Sequence, residues 1–163
     1  MKKWLLFTLV MMLLTGCGKP IDYETMSDRY VPAVMPEAAQ IQLSLPEDAA
    51  VLTLADESGG ALYLCEDYSI AVQTLPAGNL DSTLRELTGY GTPQLQLYSW
   101  QQDKLQRHEC VWTSAAETGD QVGKMVLLDD GVFHYAVCMM MPAEKAEALT
   151  AVWQQISRSV RVE

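Results

Sequence analysis

The chain has 163 residues, and its 11 Lys and Arg against 21 Asp and Glu give a formal charge of −10. A hydrophobic fraction of 49% excludes a wholly disordered chain, and the length excludes a large multidomain enzyme. The acidic balance excludes extended contact with nucleic acid, which needs a basic surface to displace counterions.

Lys2 and Lys3 precede an apolar run from Trp4 to Leu14, the layout of a secretory signal peptide. At about 1.5 Å rise per residue this run covers roughly half of a ~30 Å hydrocarbon core, too little to span it. Leu14-Thr15-Gly16-Cys17 follows at once. These four residues resemble the lipobox of the bacterial lipoproteins. The resemblance implies cleavage before Cys17 and transfer of a diacylglycerol to its thiol; two acyl chains anchor a protein stably where one does not. The expected parts are therefore a signal peptide, 1–16; a lipidated Cys17 with a tether, 17–36; and one extracytoplasmic domain, 37–163. Loss of Lys2 and Lys3 leaves 11 − 2 = 9 basic against 21 acidic side chains, a charge of −12. Such a domain is expected to stand off anionic lipid rather than lie on it.

The tether contains Pro20, Pro32 and Pro36 and has no apolar period. Beyond it, Ile41, Leu43 and Leu45 alternate with polar residues, which predicts a half-buried strand ended by Pro46. Strands are expected at 51–55 and 61–65 around the turn Glu57-Ser58-Gly59-Gly60, and at 69–75. Leu80, Leu84 and Leu87 share one helical face between Gly78 and Gly89, with Asn79 or Asp81 to cap the start and Gly89 to end it. Four further strands are expected at about 94–100, 104–114, 121–128 and 132–141, the last pair joined at Asp129-Asp130-Gly131. Pro142 to Ser157 reads as a helix whose buried stripe is Leu149, Val152, Trp153 and Ile156. Val160 and Val162 suit an edge strand. The order predicts an α+β fold, a mainly antiparallel sheet with two amphipathic helices packed on it. Its last third, a strand pair followed by an amphipathic helix, resembles the α/β/α sandwich domains of the Mog1/PsbP-like group. That resemblance implies a fold and no catalytic residue.

With Cys17 lipidated, Cys65, Cys110 and Cys138 remain, so one disulfide at most can form. If the turns at Glu117–Asp120 and Asp129–Gly131 close in the simplest registers, Cys110 falls opposite Leu127 and Leu127 opposite Phe133. This places Cys110 and Cys138 on different sheet faces, although a slip of one residue reverses that. Packing in the core, a disulfide, and a redox or metal role are the three readings of these thiols. His108 and Cys110 share a strand face but lack the spacing of structural zinc ligands, and Cys138-Met139-Met140-Met141 offers sulfur for Cu(I) or for a core. His108 and His134 are the only imidazoles, with Asp129 and Asp130 near His134 in sequence. No nucleophile motif or phosphate loop accompanies them, so no catalytic, cofactor or metal residue is assigned.

The reading that results is a non-catalytic extracytoplasmic module, held at the bacterial cell membrane by the lipid on Cys17. It is expected to bind an envelope protein, a peptide or a small ligand, and no nucleic acid. The alternatives are an envelope enzyme using a histidine or a thiol, and an assembly subunit of a larger envelope complex. An imidazole meeting a carboxylate or a thiol in a pocket favours the enzyme, whereas an exposed apolar patch favours a binding surface. Trp153 is expected in the core; on the surface it would be the first candidate for partner binding.

Overall fold

Alternation of apolar and polar residues governs most of the chain after residue 60, and in the computed structural model it becomes an antiparallel sheet. The structure describes residues 36–52, 60–117 and 119–163, all within one unit, Pro36–Glu163. Residues 1–35, which hold the expected signal peptide, Cys17 and the expected tether up to residue 35, lie outside the described residues. So does most of the turn expected around Glu57-Ser58-Gly59-Gly60.

The strands are β1 (Ile41–Gln42), β2 (Ala50–Leu52), β3 (Ala61–Leu64), β4 (Ser69–Pro76), β5 (Gln96–Gln102), β6 (Leu105–Ala116), β7 (Gly119–Asp129), β8 (Phe133–Pro142) and β9 (Arg161–Val162). Seven of them form one sheet in the order β2-β3-β4-β8-β7-β6-β5, with every neighbouring pair antiparallel. The remaining two, β1 and β9, pair with each other. The expected strand at Ile41, Leu43 and Leu45 is regular only at Ile41–Gln42, although all three side chains pack on the core beside Trp153 and Ile156.

Two helices cover the sheet from opposite sides. Helix α1 (Leu80–Thr88) starts at Asn79, whose Oδ1 accepts from the Asp81 N–H at 2.9 Å, and ends at Gly89, where φ is 81°. It buries Leu84 against Leu95, Cys110, Trp112, Met125, Leu127, Ala136 and Cys138. Helix α2 (Thr150–Ser159) buries Trp153 and Ile156 against Ile70, Val72, Val126, Leu128, Tyr135, Val137, Met139 and Met141. The second helix differs from its expected bounds. Pro142 ends β8, and a short 3-10 turn at Ala143–Lys145 precedes the regular helix. The expected stripe of Leu149, Val152, Trp153 and Ile156 still faces the sheet. Trp153 is therefore a core residue.

The central strand, β8, decides which side chains face which helix. Asp129 pairs with His134, so the loop between them holds the four residues 130–133. The Asp130 carboxylate fixes that loop by accepting from the Val132 and Phe133 N–H groups at 2.7 and 2.6 Å. It also accepts from the Tyr135 hydroxyl at 2.9 Å, and Tyr135 in turn accepts from the Ala39 N–H at 3.3 Å. Relative to the register expected for a turn at Asp129–Gly131, which sets Leu127 opposite Phe133, the pairing of β8 with β7 shifts by three residues, an odd number, which exchanges the faces of β8. Cys110 consequently pairs with Met125, and Met125 with Cys138. The expectation that the two cysteines lie on different faces is corrected: both face α1.

On the same face Trp112 lies opposite Gly123, and a Cβ at Gly123 would collide with the indole ring. Glycine there makes room for the largest side chain of that layer.

Burial pushes the Asp130 carboxyl up, but the Phe133 and Val132 N–H groups and the Tyr135 hydroxyl outweigh it and hold the group below its ordinary value. A depressed carboxyl contributes stability that is present above its unfolded value of about 3.9 and lost as pH falls through the folded value. Asp130→Ala is expected to cost about 1–2 kcal/mol at neutral pH, and the gap to the unaltered protein is expected to narrow below about pH 4. Urea unfolding at neutral and acid pH checks both; a gap that persists in acid contradicts the assignment.

Candidate functional site

Helix α2 lies over the middle of the sheet and leaves the outer strands β5 and β6 partly uncovered on the same side. Tyr98, Trp100 and Val111 are exposed there at 65%, 43% and 37%, although all three belong to regular strands. Register places them together. Trp100 pairs with Arg107, Tyr98 with Glu109 and Gln96 with Val111, while Val111 pairs across to Lys124 on β7. A polar stripe of α2, Thr150, Gln154, Ser157 and Arg158, lies at helical spacing beside the buried one and forms the facing wall. The groove between sheet and helix encloses ≈ 430 Å³. Trp100, Val111 and Trp153 give it apolar surface, with Glu109, Lys124 and Arg158 as its charged groups.

Arg107 builds this groove. Its side chain is buried, and Nη2 donates to Glu109 Oε1 and to the Ser157 carbonyl, both at 2.6 Å. Nε donates to Glu109 Oε1 at 3.0 Å and Nη1 to Gln102 Oε1 at 3.2 Å. The guanidinium also lies over the Trp100 ring, 5.6 Å from its centroid. Ser157 is in the last turn of α2, where carbonyls lack helical partners and a cation is favoured by the dipole. One side chain therefore fastens the helix end to the sheet, orients Trp100 and compensates Glu109.

The sequence-derived candidates lie on the other face, at the polar end of the layer under α1. His134 is 1% exposed; its Nδ1 is 2.9 Å from Thr83 Oγ1, and its Nε2 is 3.6 Å from Asp129 Oδ2, longer than a hydrogen bond. His108 is 7% exposed, with Nδ1 2.8 Å from Ser99 Oγ. Burial lowers the His108 pKa, with Asp129 raising it and His134 lowering it further. Each imidazole thus meets a hydroxyl, and no hydroxyl, imidazole and carboxylate join in one hydrogen-bonded chain among the described residues. Thr83 and His134 tie α1 to the sheet. Asp130 is committed to its own loop.

Cys110 and Cys138 are separated by the whole of β7, about 10 Å at normal strand spacing, whereas a disulfide needs Cα atoms within about 7 Å. Both are free, as is Cys65. Burial pushes Cys110 up to about 12, and burial with the neighbouring Cys110 pushes Cys138 up to about 12. Burial raises Cys65 too, with Tyr68 opposing and Asp48 adding. Such thiols are poor nucleophiles. Met139 and Met141 face α2 while Cys138 and Met140 face α1, so the sulfur run is divided between the two cores. No group of three or more His, Cys, Asp or Glu side chains suited to a metal occurs among the described residues.

Sequence reasoning missed Tyr98, Trp100, Val111, Lys124 and Arg158 as a group. Tyr98 and Trp100 stand two apart in an uncharged strand whose other residues are mostly Gln, a signal that two aromatics share one face of an outer strand.

No protein-family model matches the chain, and no curated protein does. Solved structures do. The cyanobacterial PsbP protein (CyanoP) of Synechocystis has a TM-score of 0.55 at 7% identity, over 82% of this chain and 98% of that one. LpqN of Mycobacterium tuberculosis, whose structure is described as involved in cell envelope biogenesis, has a TM-score of 0.53 at 12% identity, over 78% and 85%. A Bacteroides thetaiotaomicron protein scores 0.49 at 11% identity over 76% of this chain, which spans 45% of that protein's length. The first two show that the chain has a PsbP-like α+β fold.

Two outcomes are expected from this geometry. Arg107→Ala should cost about 2–3 kcal/mol in urea unfolding, because it strands Glu109 and frees the end of α2, and Arg107→Lys should recover only part of that since it lacks the fork. A loss under about 0.5 kcal/mol contradicts the role. In a Cys17→Ser protein at mildly alkaline pH, a thiol reagent should label Cys110 and Cys138 only after unfolding and then count three thiols in total with Cys65. A protected pair after denaturation without reductant would mean a disulfide.

Proposed function

We propose that the chain is a non-catalytic binding module of the bacterial cell envelope, tethered to the membrane through a lipid on Cys17, and that it binds its ligand in the groove between α2 and strands β5 and β6. The observation that carries this reading is the exposure of Trp100 and Val111 in one recess, with the still more exposed Tyr98 beside it on the same sheet face. Exposed aromatics beside a rigid wall supply contact area at low entropic cost.

The lipobox-like Leu14-Thr15-Gly16-Cys17 supports the anchor, and the involvement of LpqN in cell envelope biogenesis is consistent with such a location. Among the described residues no helix is long and apolar enough to cross a membrane. The burial of His108, His134, Cys110 and Cys138 weighs against the enzyme alternative, because a reacting group must reach its substrate.

Cell fractionation and affinity purification test the two halves separately. Cys17→Ser should move the protein out of the membrane fraction; pelleting with membranes in high salt contradicts the anchor. Tyr98→Ala together with Trp100→Ala should remove whatever co-purifies with the lipidated protein from its own envelope, with the fold retained by circular dichroism. Unchanged recovery contradicts the groove.

A further inference from the structure

We propose that the groove between α2 and strands β5 and β6 selects a small organic anion with a flat apolar body, its charge held between Lys124 and Arg158 and its body against Trp100. The inference rests on the groove being the binding site and adds the chemical class of the ligand.

Charge is the first argument. The chain as a whole is strongly acidic, yet the groove gathers cations. Among the described residues, Arg85 pairs with Asp81, Arg107 with Glu109 and Lys145 with Asp67, whereas Lys104, Lys124, Arg158 and Arg161 pair with no carboxylate, and two of these four, Lys124 and Arg158, come together at one place. Both face the groove. The single carboxylate there, Glu109, already accepts twice from Arg107 through Oε1. The groove therefore carries uncompensated positive charge inside a negative protein, and low-dielectric walls focus such a field on the recess.

Competition on the aromatic surface is the second argument. A cationic ligand would seek the face of Trp100. The Arg107 guanidinium already lies over one face of that ring, which leaves the rest of it exposed, and Lys124 and Arg158 repel a further cation. An anion meets the opposite situation, because Lys124 and Arg158 can donate to it and the Thr150, Gln154 and Ser157 side chains add neutral polar groups along the helix wall. Trp100 and Val111 leave apolar surface for a planar body, and ≈ 430 Å³ falls in the range of pockets for small molecules.

Calorimetric titration of the full chain in non-ionic maltoside micelles tests this with a matched pair of probes, naphthaleneacetate and naphthylmethylamine, against protein-free micelles. The acetate is expected to bind saturably and the amine not to. Lys124→Gln with Arg158→Gln should weaken the acetate roughly tenfold or more while leaving the thermal midpoint in place, since both side chains reach solvent. Equal binding of both probes, with both weakened by Trp100→Ala, overturns the anion selectivity and leaves the groove as a binding site. Binding of neither probe, or binding indifferent to Trp100→Ala, overturns both. Acetate binding unchanged in the double variant also overturns the selectivity.

Discussion

The pairing of β8 with β7 is the constraint on which the rest of the molecule depends. Strand β8 is the middle of seven, so its alternation assigns side chains to both cores at once. With Asp129 opposite His134, Tyr135, Val137, Met139 and Met141 face α2, while His134, Ala136 and Cys138 face α1. A shift of one residue would bury the imidazole under α2 and turn the large apolar side chains onto the smaller helix. The four-residue loop that prevents this is held by one carboxylate, Asp130, whose acceptors are filled by two backbone N–H groups and the Tyr135 hydroxyl. Tyr135 then reaches Ala39, so the segment that carries β1 is located by the same network.

From that arrangement the two faces acquire different characters. The α1 side is closed over β6, β7 and β8: Trp112 fills the space left by Gly123, Thr83 meets His134, and the cysteines are packed apart, while Leu64 of β3 stays exposed on that face. The α2 side is closed over β8 and β7 but open over β5 and β6. There Arg107 does what a longer helix would do elsewhere, binding the end of α2 to the sheet through the Ser157 carbonyl. Because the same guanidinium lies over Trp100 and neutralises Glu109, the structural fastening also shapes the chemistry of the opening.

Much of this organisation was legible in the sequence. Period-two runs located the five long strands to within a few residues, and Asn79 with Gly89 marked α1 at both ends because capping is a local effect. The stripe from Leu149 to Ile156 found α2, but its start was misjudged: the chain leaves β8 through a 3-10 turn at Ala143–Lys145, for which Pro142 and the acidic Glu144 are equally suitable leads. The faces of Cys110 and Cys138 were misjudged because parity depends on how many residues the Asp130 side chain captures, a side-chain hydrogen bond that hydrophobic patterning does not record. The groove was invisible for a further reason. Trp100, Lys124 and Arg158 come from three distant segments, and only the strand order and the limited reach of α2 bring them together. The sequence directed attention to histidines and thiols, which the fold buries, and away from an outer-strand aromatic pair that it exposes.

The central claim is that function resides on the open α2 face and that the α1 face is structural. Site-specific photo-cross-linking in the native cell tests it most directly, with a benzophenone side chain placed at Val111 in one strain and at the exposed Glu86 of α1 in another. The account predicts an adduct at Val111 that mass spectrometry resolves as a discrete species, and none at Glu86. Adducts formed at Glu86 and absent at Val111 would contradict it.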